Sequence, residues 1–251
     1  MKVMTFNVLC YGCEGHSWQD RKDEVIATVR NYMPDVFGIQ EAHLDWMKVF
    51  WNGMPEYDYV GVAREDGKED GEFSPVFYRK DKFELLDKGW FWISETPDVP
   101  SKSWESCCTR ICSWAKLKCN ECGKTFIAMN VHLDHRSALA RKKGVEMINS
   151  FAEKFDCPAF ITGDFNIPEN EDCYVDMANG GVFKDVKFLA PVTENKPTFH
   201  SFFHHNEPSA VIDFVFVTEG IEAKTYKVCD DKFDGHYPSD HCPVIVEVEV
   251  K

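Results

Sequence analysis

Seven short segments carry polar side chains where an apolar strand would otherwise run on. KVMTFNVLC holds Asn7 between apolar neighbours, and DVFGIQE ends in Glu41 directly ahead of a helical stretch. GEFSPVFYR alternates, so that Glu72 and Ser74 share a face with Val76 and Tyr78. AMNVHLD carries His132, ITGDFN carries Asp164 and Asn166, and AVIDFVFV carries Asp213. YPSDHCPVIVEV sets Asp240-His241 before a continuous apolar run. Taken singly, each has an ordinary reading as a strand-terminal turn, a helix cap or a satisfied buried polar group. Taken together they resist it, because isolated buried carboxylates are costly and are normally paired or metal-bound. In ITGDFN, strand alternation turns Asp164 and Asn166 the same way with Phe165 packed behind them, a pair able to hold a water. Acidic groups, two Asn and two His converging at one end of a fold would make a divalent-metal hydrolytic site. Oxygen ligands of this kind favour Mg2+, or Mn2+, over Zn2+.

The elements that must position these residues follow from periodicity. Strands are expected at 2–10, 35–40, 57–63, 73–79, 83–92, 110–119, 125–132, 158–163, 212–218, 222–228 and 243–250. A helix is expected over 20–33, with Asp20 as its N-cap and Val25, Ile26, Val29, Tyr32 and Met33 at helical spacing. Further helices are expected at 42–52, 136–155 and near 170–178, with a long loop at 94–106. Many strands with a few long helices between them predict an α/β sandwich of two sheets, not a βα barrel. The 251 residues are enough for one domain over 1–251 with a substantial core.

The ordered set FNVL, QE, GEFSPVFYR, NVHLDH, GDFN, IDFVFV and SDHCPV resembles the endonuclease/exonuclease/phosphatase superfamily over essentially the whole chain. Within it the chain is similar to small bacterial members related to CCR4-type deadenylase catalytic domains. The resemblance implies a DNase I-like four-layer α/β/β/α sandwich, two mixed sheets flanked by helices, and a metal-dependent hydrolase of phosphodiesters. It also implies roles. Glu41 matches the principal metal ligand, with Asn7 and Asp240 close to the same ion. Asp164 matches the group that activates the attacking water, and Asn166 its positioning partner. His241, held by Asp213, matches the histidine that stabilises phosphoryl oxygens, while Glu72 matches the acid paired with His132. Arg110 matches a phosphate contact. Val211-Ile212 departs from the many relatives that place an Arg before the equivalent Ile-Asp.

Asp134, His135 and Arg136 follow the His132 strand and are candidate substrate contacts. Arg141, Lys142 and Lys143 beyond them read as helix surface. CNECGKTF, with Cys119 and Cys122, reads as a hairpin tip, since C-x2-C-x9-H-x2-H is too short for a zinc finger and shares His132. Cys107-Cys108 reads as a loop pair without redox function. Trp92, Trp104 and Trp114 offer either a base-stacking wall or core, and HSFFHH either a cleft lining or a loop.

Eleven cysteines, several within apparent strands, point to reduced thiols and a cytoplasmic protein. No leader-like segment precedes the first strand, and no apolar run reaches membrane-spanning length. A net charge of -14 disfavours long duplex DNA, whose binding needs a concentrated basic strip. A small or single-stranded phosphorylated substrate, such as a nucleic-acid end or a sugar-phosphate diester, is therefore expected, with no obligate protein partner. The rivals are a phosphomonoesterase on a small metabolite and a catalytically silent binding module of the same fold. The complete set of acidic and His residues argues against the silent module.

Overall fold

Two mixed sheets lie face to face in the computed structural model, which describes residues 1–12, 15–203 and 209–251. The strands are β1 (Lys2–Asn7), β2 (Val36–Gln40), β3 (Tyr57–Val60), β4 (Val76–Arg79), β5 (Phe83–Trp92), β6 (Ile111–Cys119), β7 (Thr125–His132), β8 (Ala159–Asp164), β9 (Lys184–Asp185), β10 (Val192–Glu194), β11 (Asp213–Val217), β12 (Ile221–Val228) and β13 (Val244–Val250). The helices are α1 (Trp18–Tyr32), α2 (Leu44–Gly53), α3 (Ala138–Ala152), α4 (Asp172–Asn179) and the single turn α5 (Val186–Leu189). One sheet runs β10-β12-β13-β1-β2-β4-β3 and the other β5-β6-β7-β8-β11-β9. β1 is parallel to β2, and β7 is parallel to β8.

Three apolar clusters define the layers. Val3, Val36, Val76, Leu117, Phe126, Phe160, Val215 and Val246 fill the space between the sheets. Phe37, Phe77 and Ile245 pack outward against Val25, Val29, Trp46 and Phe50 of α1 and α2. Met129, Ile161 and Phe214 do the same against Val145, Ile148 and Met177 of α3 and α4. The result is the expected four-layer sandwich, helices outside and sheets within.

Local chemistry sets the boundaries. α1 is capped by Ser17 instead of Asp20. The Ser17 Oγ accepts from the Asp20 backbone N–H at 3.4 Å and donates to its carboxylate at 2.6 Å, so the expected cap sits inside the first turn. The strand expected at 73–79 is cut to Val76–Arg79 because Pro75 has no N–H to donate. The strand expected at 2–10 stops at Asn7, since Leu9 takes a left-handed φ of 54°.

A buried polar network joins the two sheets just beneath the polar strand ends. Gln40 of β2 donates to Thr5 Oγ1 at 3.0 Å and across the sandwich to Asn130 Oδ1 of β7 at 2.7 Å. Asn130 donates to the carbonyls of Ile39 and Pro75, and Thr162 of β8 donates to Asn130 Oδ1 at 3.0 Å. Gly38 makes this approach possible, because a Cβ there would lie 2.3 Å from both the Asn130 amide and Thr162 Oγ1. The sheets are therefore tied by polar contacts immediately before Glu41 and His132.

Candidate active site

The strand ends meet over that network. Asn7, Glu41 and the Asp240-His241 pair come from the first sheet, while His132, Asp164, Asn166 and Asp213 come from the second. Register does much of the work. Asp164 pairs with Asp213 on one side and with His132 on the other, so three functional side chains emerge from three adjacent strands at one level. Glu41 follows β2 directly and Asn166 follows β8 after Phe165, with φ of 62° and 51°. Asn tolerates this left-handed geometry, but Glu adopts it at a cost of order 1–3 kcal/mol that its surroundings must hold in place.

Asn7 joins the two sheets' carboxylates. Its amide nitrogen lies 3.0 Å from Glu41 Oε1 and 2.9 Å from Asp164 Oδ2, while its oxygen accepts from the Leu9 N–H at 3.0 Å. Asn7 turns its donor, not its oxygen, toward the site, because the Leu9 N–H needs that oxygen. Glu41 Oε2 accepts from the Cys10 N–H at 3.0 Å. Burial pushes the Glu41 carboxyl up, yet the bonds from Asn7 and Cys10 more than offset this and hold it below its usual range.

Asp164 stands between two imidazoles, with Oδ2 3.5 Å from His132 Nε2 and 3.8 Å from His241 Nε2. Burial, then the nearby Asp213 charge, raises its pKa to about 7. His241 Nδ1 lies 2.8 Å from Asp213 Oδ2. Burial disfavours its charge, but Asp213 and then Asp164 overcome this, so His241 holds its proton well above the usual range. His132 goes the other way, its pKa depressed by burial and by Arg110. Its Nε2 is 3.0 Å from the Asn166 amide nitrogen, which also donates to the Leu133 carbonyl at 3.1 Å. Asn166 thus positions His132 directly, and its backbone N–H donates to Asp164 Oδ1 at 2.9 Å.

Glu72, expected against His132, has its carboxylate 3.9 Å from His132 Nδ1 and 2.5 Å from Arg64 Nη1, so it faces both. Asp240 lies beside His241 and is raised by burial, offset in part by the His241 charge. It is absent from the converging donor groups Glu41–His132–Asp164 and Asp164–Asp213–His241, whose ligand atoms fall within 4.8 Å of one another among the described residues. Asp134 does not face a substrate. Its Oδ1 accepts from the Arg136 and Ser137 N–H groups at 2.9 and 2.7 Å, and Oδ2 from Ser106 Oγ and the Cys107 N–H at 2.9 and 3.0 Å. It clamps the 94–109 loop onto the start of α3. Arg141 turns inward onto Glu171 at 2.7 Å, leaving less basic surface than the sequence suggests.

Arg110 is 3% exposed, and its Nη2 lies 3.2 Å from His135 Nδ1. Its Nε and Nη1 have no protein acceptor among the described residues. Glu41, Glu72 and His132 all feel its charge. His135 and Arg136 are exposed at the rim. Trp92 and Trp114 are structural: Trp92 donates to the Arg64 carbonyl at 2.7 Å, and Trp114 packs on Phe151 and Phe155. His200 is buried, its Nδ1 accepting from the Phe202 N–H, while His204 and His205 lie outside the described residues.

Two positioning residues escaped the sequence reading. Arg21 donates to the carbonyls of Val8, Leu9, His16 and Pro238, fixing the loop after β1 against the approach to Asp240. A charged residue on the same stripe of α1 as Val25, Thr28 and Val29 was its signal. Arg64 had none, since nothing in the sequence couples it to Glu72.

Residues 4–241 match the family model described as the endonuclease/exonuclease/phosphatase family. The chain belongs to that family. An endonuclease/exonuclease/phosphatase structure from Bacteroides vulgatus is 36% identical with a TM-score of 0.94, covering 100% of this chain and 98% of that one. A mannosyl-6-phosphatase of Bacteroides thetaiotaomicron is 35% identical with a TM-score of 0.91, over 99% of both chains. The CCR4-Not complex 3'-5'-exoribonuclease subunit Ccr4 of Emericella nidulans is 23% identical over 74% of this chain, which spans 38% of that protein's length. The sandwich is therefore the DNase I-like one, and the protein is a hydrolase of the phosphoesterase type. No helix among the described residues is long and apolar enough to cross a membrane.

The donor set fits the divalent cation that family membership implies. Glu41, Asp164 and His132 converge, and the Asp164 carboxyl, raised by burial and by the Asp213 charge, would be stabilised as a carboxylate by a nearby cation.

Proposed function

We propose that the protein hydrolyses a phosphate monoester of a small metabolite, a sugar phosphate in the first instance, with Mg2+ (or Mn2+) as cofactor. The observation that carries this reading is Arg110: a buried guanidinium with two donor nitrogens lacking a protein acceptor, next to crowded carboxylates. A phosphoryl group beside a cation satisfies both at once. Substrate size follows from the surroundings. The 94–109 loop is pinned over α3 by Asp134, the net charge is -14, and Arg141 and Lys143 are engaged by Glu171 and Glu146. The whole-chain likeness to a mannosyl-6-phosphatase supports a monoester over the phosphodiester expected from sequence.

Within this reading, Glu41 and Asp164 would hold the cation with His132 adjacent, and the chemistry it would supply there is neutralisation of phosphoryl charge. Asp164 takes the proton of the attacking water as its oxygen bonds to phosphorus and the bond to the sugar oxygen breaks, the departing alkoxide being protonated from solvent. His241, kept protonated by Asp213, donates to a phosphoryl oxygen as charge builds there. Asn7 and Asn166 hold these groups in place, and Arg110 binds the phosphate.

The second reading, trimming of a single-stranded nucleic-acid end, is favoured by the likeness to an exoribonuclease subunit. Phosphate release from mannose 6-phosphate and other sugar phosphates, measured beside short RNA, single-stranded DNA, plasmid and a small phosphodiester at matched salt, separates the two. We expect kcat/KM for the best sugar phosphate to exceed that for any diester by at least about tenfold, a difference of about 1.4 kcal/mol. RNA shortening without release from any monoester would overturn the proposal.

A further inference from the structure

Cys107, Cys108 and His135 gather at the rim, beside Arg110. Cys107 Sγ is 3.4 Å from Cys108 Sγ, 3.5 Å from His135 Nδ1 and 3.7 Å from His135 Nε2. Donor atoms of all three residues fall within 4.8 Å of one another. We propose that these three side chains form a second metal site, for a thiophilic cation such as Zn2+, separate from the oxygen-rich centre.

The spacing is the first argument. With metal–sulfur and metal–nitrogen bonds of about 2.3 and 2.0 Å at tetrahedral angles, two sulfurs lie about 3.8 Å apart and a sulfur and a nitrogen about 3.5 Å apart. The Cys107–Cys108 and Cys107–His135 separations need shifts of only a few tenths of an ångström. Donor softness is the second, since two thiolates and an imidazole select Zn2+ or a softer ion over Mg2+, whereas the catalytic centre has the opposite bias.

The surroundings are the third. The backbone that carries both cysteines is fixed by Asp134, which accepts from the Cys107 N–H at 3.0 Å and lies 3.0 Å from Cys107 Sγ. Ligation through Nε2 puts the ring proton on Nδ1, so His135 turns away from Arg110 Nη2, 3.2 Å from Nδ1, as the cation binds. Both cysteines are half-buried and His135 is exposed, which gives entry from solvent and leaves the fourth position to a water. Binding releases the two thiol protons to solvent. The hairpin pair Cys119 and Cys122 does not compete on these terms, because no third donor joins it among the described residues.

Co2+ titration reads the site directly. The protein should carry Cys119→Ser and Cys122→Ser, be kept reduced with a phosphine, and be saturated with Mg2+ to occupy the oxygen-rich centre. We expect a thiolate-to-cobalt charge-transfer band that saturates at one equivalent and is displaced by Zn2+. It should vanish in Cys107→Ser and in Cys108→Ser. His135→Ala, at an exposed position that leaves the fold unchanged by circular dichroism, should weaken binding by more than about 100-fold, beyond what a lost outer partner costs. Absence of the band, its survival in the Cys107→Ser/Cys108→Ser double variant, or an affinity indifferent to His135→Ala would each overturn the proposal.

Discussion

Gly38→Ala should be strongly destabilising although the backbone at Gly38 is ordinary strand. In a strand interior, Ala in place of Gly normally stabilises by about 0.5–1 kcal/mol, because the unfolded chain loses freedom. Here the added Cβ would sit 2.3 Å from Asn130 Cγ and Oδ1 and 2.3 Å from Thr162 Oγ1. Real Cβ atoms do not approach so closely, so Asn130 must leave. Overpacking costs about 1–3 kcal/mol, and stranding buried partners such as Gln40 Nε2 or the Pro75 carbonyl adds about 1–3 more. Taking mid-range values and subtracting the usual gain, the net is about 3–4 kcal/mol, or a fall of about 10 °C in Tm for a chain of this size. Urea denaturation followed by circular dichroism measures it, with an unchanged m-value confirming that the folded state is the one affected. The steric cause has its own signature: in an Asn130→Ala background the Asn130 part of the clash is relieved while Thr162 Oγ1 remains, and the cost of Gly38→Ala should shrink by at least about 1 kcal/mol. A Gly38→Ala protein as stable as its parent, or a cost unaltered by Asn130→Ala, would refute the reasoning.

Asp164→Asn and His241→Ala should each lower turnover by about 10²–10⁴-fold while leaving the circular dichroism spectrum intact, and a collapsed spectrum would mean that their role is structural. Chelation with EDTA should abolish phosphate release and Mg2+ or Mn2+ restore it, so full turnover in chelator would rule out the metal centre. Asp185, 3% exposed and bonded to Tyr174 Oη at 2.7 Å, has its pKa raised by burial from 3.8 to about 6. A carboxyl raised on folding favours the folded state most below its unfolded pKa, and that contribution is lost as pH climbs from about 4 to about 6. The stability of Asp185→Asn relative to the parent should therefore rise by about 3 kcal/mol across that window, a dependence that denaturation at pH 4, 5, 6 and 7 would expose as present or flat.

Legibility from sequence divided along a physical line. β5 and β7 end where alternation says they end, because each pairs along its whole length within its sheet. β9 and β10 were invisible, being two and three residues that count as strands only through their neighbours β11 and β12. The site shows the same division. Glu41, His132, Asp164, Asp213 and His241 are marked by polar types at strand ends, which register then aligns. Asp134 carries the same mark, yet four nearby donors turn its oxygens inward. Glu72 reads as a partner for His132, and the structure adds Arg64 against the same carboxylate. Residue type says what a side chain can do, and only the contacts say which of those things it does.

Glu41 hangs from one sheet and Asp164 from the other, bridged by a single Asn7 amide. A cation held between them is thus a rivet through the sandwich as well as a reagent. Whatever binds only the closed pair adds its binding free energy to folding, about 2.7 kcal/mol at a hundredfold excess over Kd. The heat tolerance of this protein would then be set partly by the metal content of its surroundings, and a cell short of that metal would lose the molecule itself along with its activity.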